Sequence, residues 1–161
     1  MGNYEQELAT LEEVLGIGGV QVSGWQYQGT QIIRLRVKSK NEFGACPDCG
    51  KLCVKEHDVG AEQLIRDLSM SGKRCWLIYQ PRRYECESCE RTFVERVSWK
   101  SPDVNYTLRY EEHVYARARL ETLADVARDE RLSEDVVRNI VARWAKKSCS
   151  PRIPSRKQAM F

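Results

Sequence analysis

The chain has 161 residues, 42% of them hydrophobic, and a net charge of +3. That length is enough for a modest core or for two small ones. No apolar run approaches the length of a membrane span, and the acidic, amphipathic start is unlike a secretory leader. Seven cysteines, an odd number with four of them in two CxxC pairs, fit metal binding in a reducing compartment better than a disulfide framework.

The distribution of charge says more than its sum. Lys and Arg minus Asp and Glu gives −4 over residues 1–30, +4 over 31–100, −3 over 101–130 and +6 over 131–161. Positive charge therefore collects in the cysteine region and at the C-terminal end, as in proteins that bind nucleic acid. A solvated surface with local fluctuation is the competing explanation.

Asn3 followed by Gln6 suggests a capping box, and Tyr4, Leu8, Leu11 and Leu15 recur at helical spacing until Gly16. An acidic back made of Glu5, Glu7, Glu12 and Glu13 marks this as a docking helix, with dimerisation as the minor alternative. From Ile33 the period becomes two. Ile33, Leu35 and Val37 alternate with Arg34, Arg36 and Lys38, predicting a strand with one buried and one basic face. A second β-rich run, Cys75 to Gln80, leads to Cys86. Thr92-Phe93-Val94 reads as the return strand of a hairpin that holds Cys86 and Cys89 in its turn.

Cys46-Pro47-Asp48-Cys49-Gly50 and Cys86-Glu87-Ser88-Cys89 are 36 residues apart. Two residues between thiolates let one tight turn supply two corners of a zinc tetrahedron, and four thiolates leave no open position. The expected cofactor is one structural Zn2+ on Cys46, Cys49, Cys86 and Cys89, tying together a unit too small to fold on its core alone. Cys53 and His57 are weaker candidate ligands, and Cys75 and Cys149 have no partner at ligand spacing.

After Ser101-Pro102-Asp103 the period is helical. Tyr110, Val114 and Ala118 line one helix; Leu123, Val126 and Ala127 a second; Val137, Ile140, Val141 and Trp144 a third. The last two have the order of a helix-turn-helix: small Ala127, apolar Leu132 after the turn, and Ser133 as N-cap. Arg131 stands where glycine is common. The second of these helices points Arg138, Asn139, Ala142 and Arg143 outward, with Lys146 and Lys147 toward phosphates. The candidate DNA-contacting residues are these six with Ser133, and Arg34, Arg36 and Lys38 on the basic strand. From Ser148 to Phe161 the sequence reads as a basic linker or tail.

The fold class expected is α+β: a small β-rich zinc ribbon followed by a three-helix helix-turn-helix domain. The expected divisions are an N-terminal helix and strand (1–40), the ribbon (41–100), the helix-turn-helix domain (101–147) and the tail (148–161). Together Cys46 to Gly50, His57, Ile65-Arg66-Asp67-Leu68, Arg82 to Cys86 with Cys89, Arg91 to Arg96, and the helical part through Ala145-Lys146-Lys147 resemble the N-terminal part of ISL-three family insertion-sequence transposases. The resemblance implies binding to the terminal inverted repeats of a transposon. It also implies a separate RNase H-like domain that carries the acidic catalytic triad, so no catalytic residue is assigned within residues 1–161 and this chain itself is not expected to be an enzyme. Double-stranded DNA is the expected partner, a second copy of the chain a further candidate, and a membrane or small-molecule substrate is not expected. The expected location is the bacterial cytoplasm, at the nucleoid. Two alternatives remain open at this point: a stand-alone zinc-ribbon/helix-turn-helix regulator, and a zinc-dependent protein-interaction adaptor.

Overall fold

The computed structural model describes residues 2–149. The chain is mixed α+β, β-rich in its N-terminal region, and divides into two compact units, Met1–Tyr110 and Glu111–Phe161.

The first unit opens with helix α1 (Gly2–Leu15), one residue ahead of the capping box expected at Asn3. Gly16 ends it at φ 64°, and its N–H donates to the Glu12 carbonyl at 3.0 Å. Strands β1 (Val20–Gln28) and β2 (Ile32–Ser39) form an antiparallel pair. After the first ribbon turn, strands β6 (Gln63–Met70) and β7 (Lys73–Tyr79) join them in one sheet of order β1-β2-β7-β6. Strand β7 runs parallel to β2, with Leu35 opposite Leu77 and Arg34 opposite Trp76.

The alternation read in β2 is what the sheet uses. Ile33, Leu35 and Val37 sit in the core with Val20, Val22, Ile65, Leu77, Tyr79 and Leu15. Leu8 and Leu11 of α1 pack against the same cluster. A bulge between Val22 and Gly24 reverses the alternation of β1. Beyond it Trp25 pairs with Leu35 and Tyr27 with Ile33.

Strand β6 contains charges where its neighbours are apolar. Arg66 is 3% exposed and Asp67 0% exposed. Such groups are costly to bury unless partnered. Asp67 accepts from the Thr107 hydroxyl at 2.7 Å and from Arg109 Nε at 2.9 Å, and Arg109 also donates to the Leu15 carbonyl at 2.7 Å. The Arg66 guanidinium lies 5.4 Å from the Trp76 ring centroid and 5.3 Å from that of Tyr110, a cation held between two π faces. Its backbone accepts from the Thr107 N–H and donates to the Asn105 carbonyl, so residues 105–107 extend the free edge of β6.

The ribbon consists of β3 (Gly44–Ala45) with β4 (Leu52–Cys53), and of β5 (Glu56–Val59), β8 (Arg82–Cys86) and β9 (Arg91–Val94) in the order β5-β8-β9. Gly44 is required here. A Cβ at that position would lie 2.7 Å from Tyr84 Cδ2 and 2.9 Å from Phe93 Cε2. Arg82 and Glu95 tie the ribbon to the larger sheet. Glu95 Oε1 accepts from the Tyr79 hydroxyl at 2.7 Å and from the Arg82 N–H at 2.9 Å, while the Arg82 guanidinium donates to the Ser39 carbonyl at 2.7 Å. Burial, reinforced by Glu95, raises the Tyr79 phenol pKa and keeps it a donor.

Helices α2 (Leu108–Ala118), α3 (Leu123–Glu130) and α4 (Glu134–Cys149) follow. In the second unit Val114, Val126, Ala127, Val137 and Ile140 are buried, and Tyr115 stacks on Trp144 at 6.2 Å. Helix α4 extends two residues past Lys147, where the sequence reading ended it; the rest of the expected tail lies outside the described residues.

Removing the guanidinium of Arg109 leaves the Asp67 charge buried. Arg109→Ala is therefore expected to lower stability by about 3–5 kcal/mol, read as a lower urea midpoint in the zinc-loaded protein. Gly44→Ala should also destabilise the protein, because the added Cβ would meet two ring carbons closer than 3.0 Å and the Tyr84 ring is buried.

Candidate metal centre and helix-turn-helix

Both cysteine pairs sit at the tips of short hairpins. In the first, the Cys46 N–H donates to the Lys51 carbonyl and the Gly50 N–H to the Cys46 carbonyl, each at 2.9 Å. This closes a turn in which Gly50 takes φ 74°. In the second, Cys86 pairs with Arg91 across β8 and β9, and Glu90 supplies the left-handed residue at φ 52°. Lys51 Nζ donates to Ser88 Oγ at 3.1 Å, linking one turn to the other.

The four sulfurs lie within 4.8 Å of one another. Cys46 Sγ is 3.9 Å from Cys89 Sγ, and Cys49 Sγ is 3.7 Å from Cys86 Sγ. A tetrahedron of thiolates about 2.3 Å from zinc has edges of about 3.8 Å, so the observed spacings fit the ion. At Cys86 the protein supports ionised sulfur. The Cys89 N–H pulls the Cys86 thiol down to about 6 against the opposing effect of burial, and the Cys49 and Cys46 thiols assist. Cys89 is pushed up to about 12, first by the Cys49 thiol and then by burial. Thiols this close cannot all ionise without a cation among them, and a divalent ion removes that conflict.

Cys53 is buried against Cys46, Tyr84 and Cys86, and its thiol faces the Lys51 carbonyl at 3.5 Å. It stands outside the four-sulfur cluster. His57 is exposed, at the register shift between β5 and β8. Cys75 is fully buried in the sheet core, where burial pushes it up to about 12. Its side chain is closed to solvent. Cys149 ends α4, and its side chain lies outside the described residues.

In the second unit α3 and α4 are joined by residues 131–133. The Thr122 hydroxyl caps α3 by accepting from the Asp125 N–H at 3.1 Å. Arg131 closes the helix at φ 55° and ψ 48°, and Leu132 N–H donates to the Ala127 carbonyl at 2.8 Å. This is the wrap-back of a Schellman turn, formed without the usual glycine. Leu132 is half-buried, and Ser133 Oγ accepts from the Val136 N–H at 3.3 Å to start α4. Ser133 thus serves as the expected N-cap.

On α4, Arg138, Asn139, Ala142, Lys146 and Lys147 are exposed. Arg138 pairs with Asp135 at 2.5 Å, one turn back on the same helix, and Lys147 Nζ sits 4.9 Å from the Trp144 ring centroid. Arg143 is placed differently from the rest of that face. It is half-buried, and its guanidinium donates to Glu111, whose side chain is fully buried. Arg34, Arg36 and Lys38 lie in the first unit on the face of β2 that points away from the core, and Arg36 pairs with Glu62 at 2.8 Å.

Sequence reasoning missed the structural work of Asp67 and Glu111. The available signal was an acid inside an otherwise apolar strand or helix stripe, as in Ile65-Arg66-Asp67-Leu68. A similar cluster on α2 went unread: Arg117 reaches Glu121 at 2.6 Å, Asp129 at 2.8 Å and Glu130 at 3.1 Å, binding α2 to α3. Arg117 holds the Glu121 and Asp129 carboxyls below their ordinary range.

Two hairpin tips presenting four thiolates define a zinc-ribbon protein, here with a helix-turn-helix in the same chain. Residues 42–89 match the family model described as the zinc-finger of transposase IS204/IS1001/IS1096/IS1165, and residues 95–145 match the helix-turn-helix domain of transposase family ISL3. Across those residues the chain is similar to the zinc-ribbon and helix-turn-helix domains of ISL3 transposases. No curated protein and no solved structure matches it.

Zinc bound here is structural: Cys46, Cys49, Cys86 and Cys89 complete its coordination and clamp the two hairpins. Elemental analysis of reduced protein should give one zinc per chain. Cys86→Ser should release it and unfold the ribbon, whereas Cys53→Ser should keep the same zinc content.

Arg131→Gly tests the turn. A left-handed residue with a Cβ costs roughly 1–2 kcal/mol, and glycine gives back part of that gain as chain entropy. The substitution is expected to raise stability by about 0.5–1 kcal/mol, measured by thermal unfolding.

Proposed function

We propose that this chain binds double-stranded DNA sequence-specifically through α4, as the part of a transposase that recognises the transposon's terminal inverted repeats. The observation that carries the reading is the exposed face of α4. Arg138, Asn139 and Ala142 occupy it together, while Val137 and Ile140 on the opposite side are buried. In the major groove asparagine can pair bidentately with adenine and arginine with guanine. Ala142 has no bulk to hold the helix away from the bases. Ser133 caps the N-terminus of α4, whose remaining backbone donors could meet a phosphate, and Lys146 and Lys147 extend the same helix toward the backbone.

Contacts around α4 support finer roles. Asp135 pairs with Arg138 and offsets part of its charge, so in this reading the acid neighbours a base-contacting arginine. Arg143 belongs to the support of α4 through Glu111 and makes no base contact in this reading. The chain contributes recognition and its zinc contributes rigidity; with all four coordination positions held by cysteine, the ion has none left for a reacting group.

Asn139→Ala is expected to lose roughly 1–3 kcal/mol on the preferred duplex and little on random sequence. Lys146→Ala should weaken both duplexes alike and reduce the salt slope by about one unit. Titrations by fluorescence anisotropy at several salt concentrations read both effects. Unchanged site preference in Asn139→Ala and Arg138→Ala would refute the assignment of α4.

A further inference from the structure

We infer that the outer face of the β1-β2-β7-β6 sheet is a second DNA-binding surface, where Arg34 and Arg36 hold one backbone phosphate of a duplex in the cleft left open by Gly24. This rests on the reading of the chain as a DNA-binding protein, and it concerns only the first unit.

Three observations converge on the cleft. It has a volume of about 280 Å³ and is lined by Tyr4, Ser23, Gln26, Arg34, Arg36 and Ile78, with Gly24 and Trp25 at its side. Pairing within the sheet sets Gly24 opposite Arg36 and Gln26 opposite Arg34, so the two arginines stand two residues apart on one face. Where any other residue would project over Arg36, Gly24 has no side chain, and the place its Cβ would take is 3.8 Å from both the Arg36 Cβ and the Tyr4 hydroxyl.

Arg34 supplies the feature that calls for an anion. Its Nε is buried with no hydrogen-bond partner among the described residues. That nitrogen is closed to solvent, but Arg34 is half-buried, lines the cleft and makes no ion pair among the described residues, so a phosphate in the cleft would supply the acceptor that its guanidinium lacks. Arg36 is differently prepared: its guanidinium is on Glu62, both side chains are 53% exposed, and an exposed pair of this kind is weak enough to exchange for a phosphate. Lys38 continues the row along β2, exposed, two residues further on. Glu56 lies near Arg36 and Lys38 across a neighbouring cleft and limits the positive field on that side.

The face carries few groups for reading base edges and several for reading charge. Its contribution is thus to affinity on any sequence, with a strong dependence on salt.

The test uses the full zinc-loaded chain with a random-sequence duplex and with its preferred duplex, titrated across a range of salt. Arg34→Gln should make the plot of log affinity against log salt shallower by about one unit on both duplexes, and weaken binding about fivefold at physiological salt. Arg34→Lys, which keeps the charge, should retain the slope. Glu62→Gln frees Arg36 and should tighten binding to both duplexes, a gain that a folding defect cannot imitate. If Arg34→Gln and Glu62→Gln leave slope and affinity unchanged while Asn139→Ala still loses site preference, the sheet surface is refuted and the α4 reading stands. No duplex binding by the parent chain at low salt overturns both.

Discussion

Four sulfurs within 4.8 Å of one another set the terms for the whole first unit, because the chain between the two cysteine pairs is not a passive loop. Strands β4, β5, β6 and β7 and most of β8 lie inside it, whereas β1 and β2 lie before the first pair. Parallel pairing of β2 with β7 needs a long crossover, and the first zinc hairpin is part of that connection. Closing a flexible loop of this length costs about 3 kcal/mol in chain entropy. A metal that closes it in the ribbon thereby favours the sheet as well, and the sheet in turn brings the second hairpin back to the first. The Arg82–Glu95–Tyr79 hydrogen bonds are the covalently independent link between these two closures.

Two fully buried carboxylates each require an arginine partner, and desolvating such pairs costs raw stability. Asp67 in the first unit and Glu111 in the second are both fully buried, and each is answered by an arginine from a helix. Apolar substitutes of similar volume could fill the same space with less desolvation. They would not, however, define one direction for the arginine. Thr107 and Arg109 both meet Asp67, and Thr107 Oγ1 then accepts from the Tyr110 N–H at 3.2 Å, so the start of α2 is fixed by the same carboxylate that interrupts β6.

Legibility in the sequence followed periodicity. Strand β2 alternates cleanly, the doubled CxxC has a spacing few other chemistries need, and α3 and α4 have regular apolar stripes; all were readable. Strand β1 was not, because the bulge at Val22–Gly24 reverses its pattern halfway and leaves Trp25 and Tyr27 out of phase with Val20 and Val22. Strand β6 was not either, since Arg66 and Asp67 occupy positions that pattern rules reserve for apolar residues. On α4, helical phase correctly separated Val137 and Ile140 from Arg138 and Asn139. It could not place Arg143, because an arginine at the border of the polar face goes wherever a carboxylate on another helix waits for it.

Under the DNA-binding reading, the pairing of cations has a consequence for selectivity. Arg138 is on Asp135, Arg36 on Glu62 and Arg143 on Glu111. A phosphate reaching either exposed arginine must displace a carboxylate, which reduces the affinity available from charge alone. Base edges in the major groove offer more than charge, a bidentate hydrogen-bond geometry that the guanidinium of Arg138 can match. Ion pairs on the exposed arginines therefore reduce chiefly the charge-driven share of binding, on which arbitrary DNA depends most. A net charge of only +3, which by itself argues poorly for a nucleic-acid partner, is then compatible with discrimination between one site and many.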